Sequence, residues 1–159
     1  MAIYLELEGI KGNVTAEGYE DQIAIESFSF GVSRMVSMSP GTMANREVDK
    51  PNLSPIVLSK VADNSVAELF KLSTTGNKGK KATLHFVQTG TDKFNEFMSY
   101  ELEDVLITSY SVSSGGDRPM ESLELSYAKI QVSYTDADSA GKAGGPLRAG
   151  YDLRVGKAV

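Results

Sequence analysis

The sequence has 159 residues, 41% of them hydrophobic and 23% charged, with a formal net charge of −5. That is the composition of one globular domain and not of a disordered chain, and its acidic balance argues against a nucleic-acid or anionic-membrane partner, which would favour a basic face. It has no cysteine, which excludes disulfides and thiolate metal sites, and no apolar run approaches the roughly 20 residues of a membrane-spanning helix.

Residues 1–12, MAIYLELEGIKG, have neither the basic start nor the long apolar run of a cleaved signal peptide, so synthesis in the cytoplasm is expected. Ile3, Leu5 and Leu7 alternate with Tyr4 and Glu6, the pattern of a half-buried strand. Gly9 to Gly12 ends it, and 13–19 read as a polar loop. The next stretch, Ile23–Arg34 (IAIESFSFGVSR), changes its buried side partway along. Ile23 and Ile25 share one face, whereas Phe28, Phe30 and Val32 share the other. Successive strand side chains point to opposite faces, so either a bulge sits near Glu26–Ser27 or the strand serves two surfaces. Ser27, Ser29 and Gly31 form a small polar row opposite the phenylalanines.

The stretch Ser37–Pro55 holds three of the five prolines and has no sustained period. A loop this long in a compact domain is usually functional, and two readings stay open: a floppy surface loop, or an arm that touches a partner, for which Met38 and Met43 suit an adaptable contact surface. A short strand is expected at Ile56–Leu58 and one helix at Ser65–Leu72. Ser65 and Glu68 have capping-box spacing, with Ala62, Val66, Leu69 and Phe70 as the apolar stripe; Thr75-Gly76-Asn77 is expected to supply the C-cap. From Lys81 on the chain reads as β. Ala82, Leu84 and Phe86 alternate, Thr89–Asp92 is a turn, and two strands, Phe94–Leu102 and Val105–Val112, are divided by Glu103-Asp104. Ser114–Pro119 is a hairpin turn. Met120–Tyr134 again changes phase, from Leu123, Leu125 and Tyr127 to Ala128, Ile130, Val132 and Tyr134, which predicts a second bulge. After a flexible Asp136–Gly145 loop, Tyr151–Val155 is the last strand. Many short strands, frequent turns and one helix predict a mainly β fold, a barrel or sandwich, in one domain spanning 1–159.

Motifs for chemistry are absent. The single histidine, His85, lies mid-strand, and no Gly-x-Ser-x-Gly elbow accompanies it. Residues 76–83 (GNKGKKAT) miss the phosphate-loop spacing, with Ala82 where Ser or Thr should follow the lysine. The run from Asp136 lacks a third oxygen ligand and has Leu147 in place of the closing glutamate of a calcium loop. The pairs Glu6/Glu8 and Glu101/Glu103 read as solvated or interfacial charge rows. The residues therefore predict an assembly or binding module, with no catalytic residues, no cofactor and no metal.

Three segments carry a resemblance. They are the Ile-x-Ile-x-x-aromatic-Ser-aromatic-Gly run at Ile23–Gly31, the Leu-x-Tyr-Ala-x-Ile-x-Val-x-Tyr strand at Leu125–Tyr134, and the Gly-Gly-Pro…Gly-Tyr tail at Gly144–Tyr151. In these segments and their spacing the chain resembles the haemolysin-coregulated proteins (Hcp), tube subunits of bacterial type VI secretion systems. The resemblance implies a β-barrel of two sheets with one flanking α-helix, similar to phage tail-tube proteins. It implies hexameric rings that stack into a tube, a contractile sheath around it, a spike protein at its tip and small effector proteins in its lumen. It also implies release from the cell without a cleaved signal peptide, and no toxic domain is expected after Val159. Many members carry Gly-Glu-Ser-x-Asp-x-x-His after the first strand; here Gly12 survives, but Asn13, Ala16 and Tyr19 replace the Glu, Asp and His. Within this picture Ser27, Ser29 and Gly31 are expected at the lumen wall, and Met38, Thr42, Met43, Asn45, Arg46, Glu47 and Asp49 in ring stacking. Two alternatives stay open: a phage-like tail-tube or other assembly subunit outside type VI secretion, and a hydrolase using His85 with Asp or Ser partners.

Overall fold

A computed structural model of the chain describes residues 1–36, 40–41, 50–76, 78–89, 94–136 and 145–159. Alternating apolar residues set the strands. In chain order they are β1 (Ala2–Leu7), β2 (Ile23–Ile25), β3 (Ser27–Ser29), β4 (Val32–Ser33), β5 (Asn52–Leu53), β6 (Ile56–Val61), helix α1 (Val66–Thr75), β7 (Lys80–Thr89), β8 (Phe94–Ser113), β9 (Met120–Ser126), β10 (Lys129–Tyr134), β11 (Leu147–Asp152) and β12 (Lys157–Ala158). The first sheet, A, runs β12-β11-β10-β8-β7-β1-β2, and the second, B, runs β3-β6-β9-β8. All pairings in both sheets are antiparallel. β4 and β5 form a separate two-stranded ribbon.

β8 belongs to both sheets. Straight, its 20 residues would span about 65 Å, too long for a domain of this size. Its first half pairs with β7 and β10, and from Leu106 it pairs with β9. The change follows Asp104, whose φ of 54° is left-handed. Gly79 faces this corner, and a Cβ there would lie 2.5 Å from the Asp104 Cα, so only glycine fits. Glu103 and Asp104 therefore mark a change of sheet within one strand, and not the gap between two strands that alternation alone predicts.

Both phase changes read from the sequence have the same origin. β2 pairs with β1 in sheet A, while β3 pairs with β6 in sheet B. At the joint, the Glu26 N–H donates to the Ser59 carbonyl at 2.7 Å. β9 lies in sheet B and β10 in sheet A, with the Ala128 N–H donating to the Glu103 carbonyl at 2.9 Å between them. The second expected bulge is thus a crossing between sheets.

Between the sheets lies the core, with Leu5, Leu7, Ile23 and Ile25 from one side and Ile56, Leu58, Leu123 and Leu125 from the other. Phe28 packs edge-on against Phe86 (centroids 5.1 Å apart) and beside Tyr100 (5.0 Å), an aromatic layer that Phe30 extends. Val32, expected to pack with them, is 57% exposed; it lines an open apolar groove of about 210 Å³ with Leu53, Val132 and Tyr151.

The helix buries Leu69 against this core, but Phe70 on its expected apolar stripe is 59% exposed. The capping box is not formed. The Ser65 hydroxyl donates to Asp63 instead of accepting from the helix, and the Ser65 N–H also donates to Asp63 Oδ1 at 2.9 Å. At the other end, Gly76 is extended and gives its N–H to the Leu72 carbonyl; Asn77 lies outside the described residues. The strand expected as the last, Tyr151–Val155, begins earlier, at Leu147, and ends at Asp152, with the short β12 after it. Leu153 and Val155 fall in a turn, and Val155 is 63% exposed. The expected turn at Thr89–Asp92 and loop at Asp136–Gly145 lie largely outside the described residues.

Two charged side chains, Lys60 and Glu121, are fully inside. Lys60 of β6 sits directly across from Glu121 of β9 and donates to it and, at 3.0 Å, to Asp63. The Tyr110 hydroxyl donates to the other Glu121 oxygen. Burial works to raise the Asp63 pKa, but the hydrogen bonds from Ser65 and Lys60 outweigh it, so the carboxyl is held below its ordinary range. Burial and the Glu121 carboxylate push the Tyr110 hydroxyl upward. In this cluster one cation, Lys60, faces two carboxylates, so the partners are unequal. Lys60→Met leaves two buried anions uncompensated and costs about 3–5 kcal/mol. Glu121→Gln keeps an acceptor for Tyr110 and leaves Lys60 paired with Asp63, so it costs less. Urea denaturation followed by circular dichroism checks the order, and the reverse order contradicts it.

Candidate functional site

The outward face of sheet B is built from short polar side chains brought level by the strand register. Ser27 of β3 lies opposite Ser59 of β6, Ser59 opposite Ser122 of β9, and Ser122 opposite Ser111 of β8. Four serines thus cross four strands in one row. Two residues along, the next row on the same face is Ser29, Val57, Glu124 and Ser109. The row between them points inward and is Phe28, Leu58, Leu123 and Tyr110, part of the core and its packed margin. Period-two alternation across matched registers therefore produces an apolar inner layer and, in these two rows, a mostly hydroxyl-lined outer one, bordered by Val61 and Met120 in the next outward row.

Of the three residues expected in a polar row, Ser27 and Ser29 are exposed members of this face. Gly31 is not in the ladder: its N–H and carbonyl both bond to Ser54, at 2.9 Å each, where the chain turns towards β4. Ser59, Ser109, Ser111, Ser122 and Glu124 were not singled out by sequence reasoning. The alternation Ser109-x-Ser111-x-Ser113 is visible in the sequence; that it meets Ser122, Ser59 and Ser27 depends on register between distant strands. The seven residues expected in ring stacking, Met38, Thr42, Met43, Asn45, Arg46, Glu47 and Asp49, lie outside the described residues.

Sheet A presents a different outward surface. Thr83, His85, Ser99, Glu101, Gln131 and Arg148 line a shallow groove of about 410 Å³. Both nitrogens of His85 face carboxylates, Nδ1 2.6 Å from Glu96 and Nε2 3.2 Å from Glu6. A hydrolytic base needs one nitrogen free to take a proton from a nucleophile, so this geometry does not suit the hydrolase alternative. The two charge rows find partners: Glu8 accepts the Lys81 N–H at 3.0 Å, and Glu103 accepts from Arg154 at 3.1 Å. No helix among the described residues is long and apolar enough to cross a membrane.

Comparison with known proteins decides the family. The family model for the type VI secretion system effector Hcp matches residues 4–134. This chain belongs to the Hcp family. Protein hcp1 of Pseudomonas aeruginosa is 31% identical to it over 108 residues, which make up 66% of this chain and 67% of that protein. A solved structure of a type six secretion system protein superposes with a TM-score of 0.91 at 26% identity, covering 99% of both chains. Hcp1 from Salmonella typhimurium shares the fold, with a TM-score of 0.79 at 22% identity over 99% of this chain and 98% of that one. Hcp proteins are structural tube subunits of type VI secretion systems, and the mainly β fold with two sheets and one short helix matches the one expected from the resemblance, although the expected barrel is not closed among the described residues.

The side chains of the serine face lie outside the core of this Hcp chain. Ser27 and Ser59 hydrogen-bond to each other at the surface, and a bond of this kind contributes about 1 kcal/mol. Ser27→Ala is expected to lower stability by about that or less, with the same circular dichroism spectrum. A loss comparable to a core leucine truncation, about 2–5 kcal/mol, would place Ser27 in the packing.

Proposed function

We propose that residues 1–159 act as one tube domain that closes into a hexameric ring, that rings stack into the type VI secretion tube, and that the outward face of sheet B lines the lumen. The observation that carries this reading is the hydroxyl-lined face extending in register across β3, β6, β9 and β8. A conduit for folded cargo needs a wall that is wettable, nearly uncharged and free of large apolar side chains; these rows hold one carboxylate, Glu124, and one exposed apolar residue, Val57. The shared β8 and continuous core support action as one unit. Membership of the family favours secretion over a phage tail as the setting.

On this reading the protein works by association and performs no bond chemistry. A ring requires a heterologous interface that closes on itself, so each subunit carries two different complementary surfaces. The free edges of the sheets are the natural places for one of them. The remaining partners are the spike protein at the tip, the contractile sheath outside and small effector proteins within. The tube assembles in the cytoplasm and leaves the cell without a cleaved signal peptide. The 42–49 segment serves ring-to-ring stacking.

Negative-stain microscopy of the purified protein tests the assembly, with six-fold rings expected and monomers or another symmetry counting against it. Ser29→Trp tests the lumen. It should leave ring mass by light scattering unchanged and abolish retention of a co-purifying effector; loss of the ring would instead put Ser29 at a subunit contact. Deleting 42–49 should spare single rings and impair tubes, and normal tubes from that deletion would remove the stacking role.

A further inference from the structure

We infer that His85 is a proton-controlled latch that fastens the 11–22 loop down onto sheet A. The loop lies between β1 and β2 and is tied to itself by backbone bonds between Gly12 and Asp21 (2.8 Å) and between Val14 and Gln22 (3.2 Å). The closure is tight: a Cβ on Gly12 would lie 2.3 Å from the Gln22 carbonyl oxygen. From the loop, the Tyr19 ring reaches back over the sheet, 5.1 Å from the Tyr4 ring of β1 and 5.4 Å from the His85 ring of β7. Its hydroxyl donates to Glu96 Oε2 on β8 at 3.4 Å. The other oxygen of Glu96 holds His85 Nδ1, and Glu6 of β1 holds Nε2. One chain of contacts thus joins the loop to three strands.

The arrangement requires a proton. Neutral imidazole has one N–H and one lone pair, and so can satisfy one carboxylate only; the imidazolium donates to both. The titratable groups around His85 are Tyr4 and Glu6 from β1, Glu96 from β8 and Tyr19 from the loop, with Glu101 of β8 and Arg148 of β11 further along the same groove. Partial burial acts to lower the His85 pKa, but the hydrogen bonds and charges of Glu96 and then Glu6 outweigh it, and the net direction is upward. Burial and the Glu96 charge raise the Tyr19 hydroxyl to about 12, so it stays a donor throughout. For a histidine raised on folding, the stabilisation is fully present below the unfolded value of about 6.5 and is lost as pH rises through the higher folded value. Loss of the proton turns a lone pair towards a carboxylate and leaves Glu6 and Glu96 unneutralised, and the contact through which Glu96 holds Tyr19 weakens. The latch is closed below the unfolded value of about 6.5 and opens as pH rises through the higher folded value. It is independent of the ring and lumen proposals.

Because the protein has one histidine, its imidazole NMR signal reports this site alone. The expected midpoint lies above about 6.5, with Tyr19 ring shifts following the same curve. Hydrogen exchange at the Tyr19, Asp21 and Gln22 amides, corrected for intrinsic pH dependence, should accelerate roughly two- to tenfold across that midpoint, the range set by one net hydrogen bond. Glu96→Gln should move the midpoint down, and His85→Gln should abolish the exchange step. A midpoint at or below the unfolded value, a pH-independent loop, or a step that survives in His85→Gln overturns the latch.

Discussion

The period-two alternation of a β-strand is the constraint from which the rest of this structure follows. A strand that stays in one sheet must keep its apolar residues on one side, and a strand that passes to the facing sheet must exchange them. The chain makes this exchange at Glu26, after Asp104 and at Tyr127–Ala128. At each place the sequence changes side with the backbone, so Ile23 and Phe28, on opposite faces of one stretch, both meet the same core. The left-handed turn at Asp104 and the close approach of Gly79 show the local conformational demand of such a crossing.

The same constraint produces the candidate site. Once Phe28, Leu58, Leu123 and Tyr110 are level in the inner layer, the residues on either side of them must be level in the outer one. The serine rows are therefore the reverse side of the core, and any change in register that moved them would move the core as well. The buried Lys60–Glu121 pair lies in the next inward register position of β6 and β9. A slip of either strand would separate these charges or carry them out of the core, so the pair acts against such slips.

Much of this was legible in the sequence because it is local. Strand alternation, the two phase changes, the Ser114–Pro119 turn and the helix follow from neighbouring residues. The family resemblance supplied the two-sheet arrangement that periodicity leaves open between barrel and sandwich. What was not legible depends on residues far apart in the chain. Glu103-Asp104 looks like a strand end until β9 is seen pairing beyond it. Ser65 and Glu68 have capping spacing, but Asp63, held by Lys60, which Glu121 of the neighbouring strand also holds, takes the Ser65 hydroxyl first. Phe70 fits an apolar stripe by spacing, yet the helix turns only Leu69 fully inward. The serine face needs the pairing of four strands from four parts of the chain, and the His85 cluster joins residues up to 79 positions apart.

The sharing of β8 has a consequence for how this subunit comes apart. Its first half is hydrogen-bonded on both sides within sheet A, and its second half is the edge of sheet B. Melting either sheet removes the template on which the other is aligned. The shared strand thus couples the two sheets and favours their melting together. A partner that holds the edge of one sheet therefore also steadies the other, because β8 runs through both.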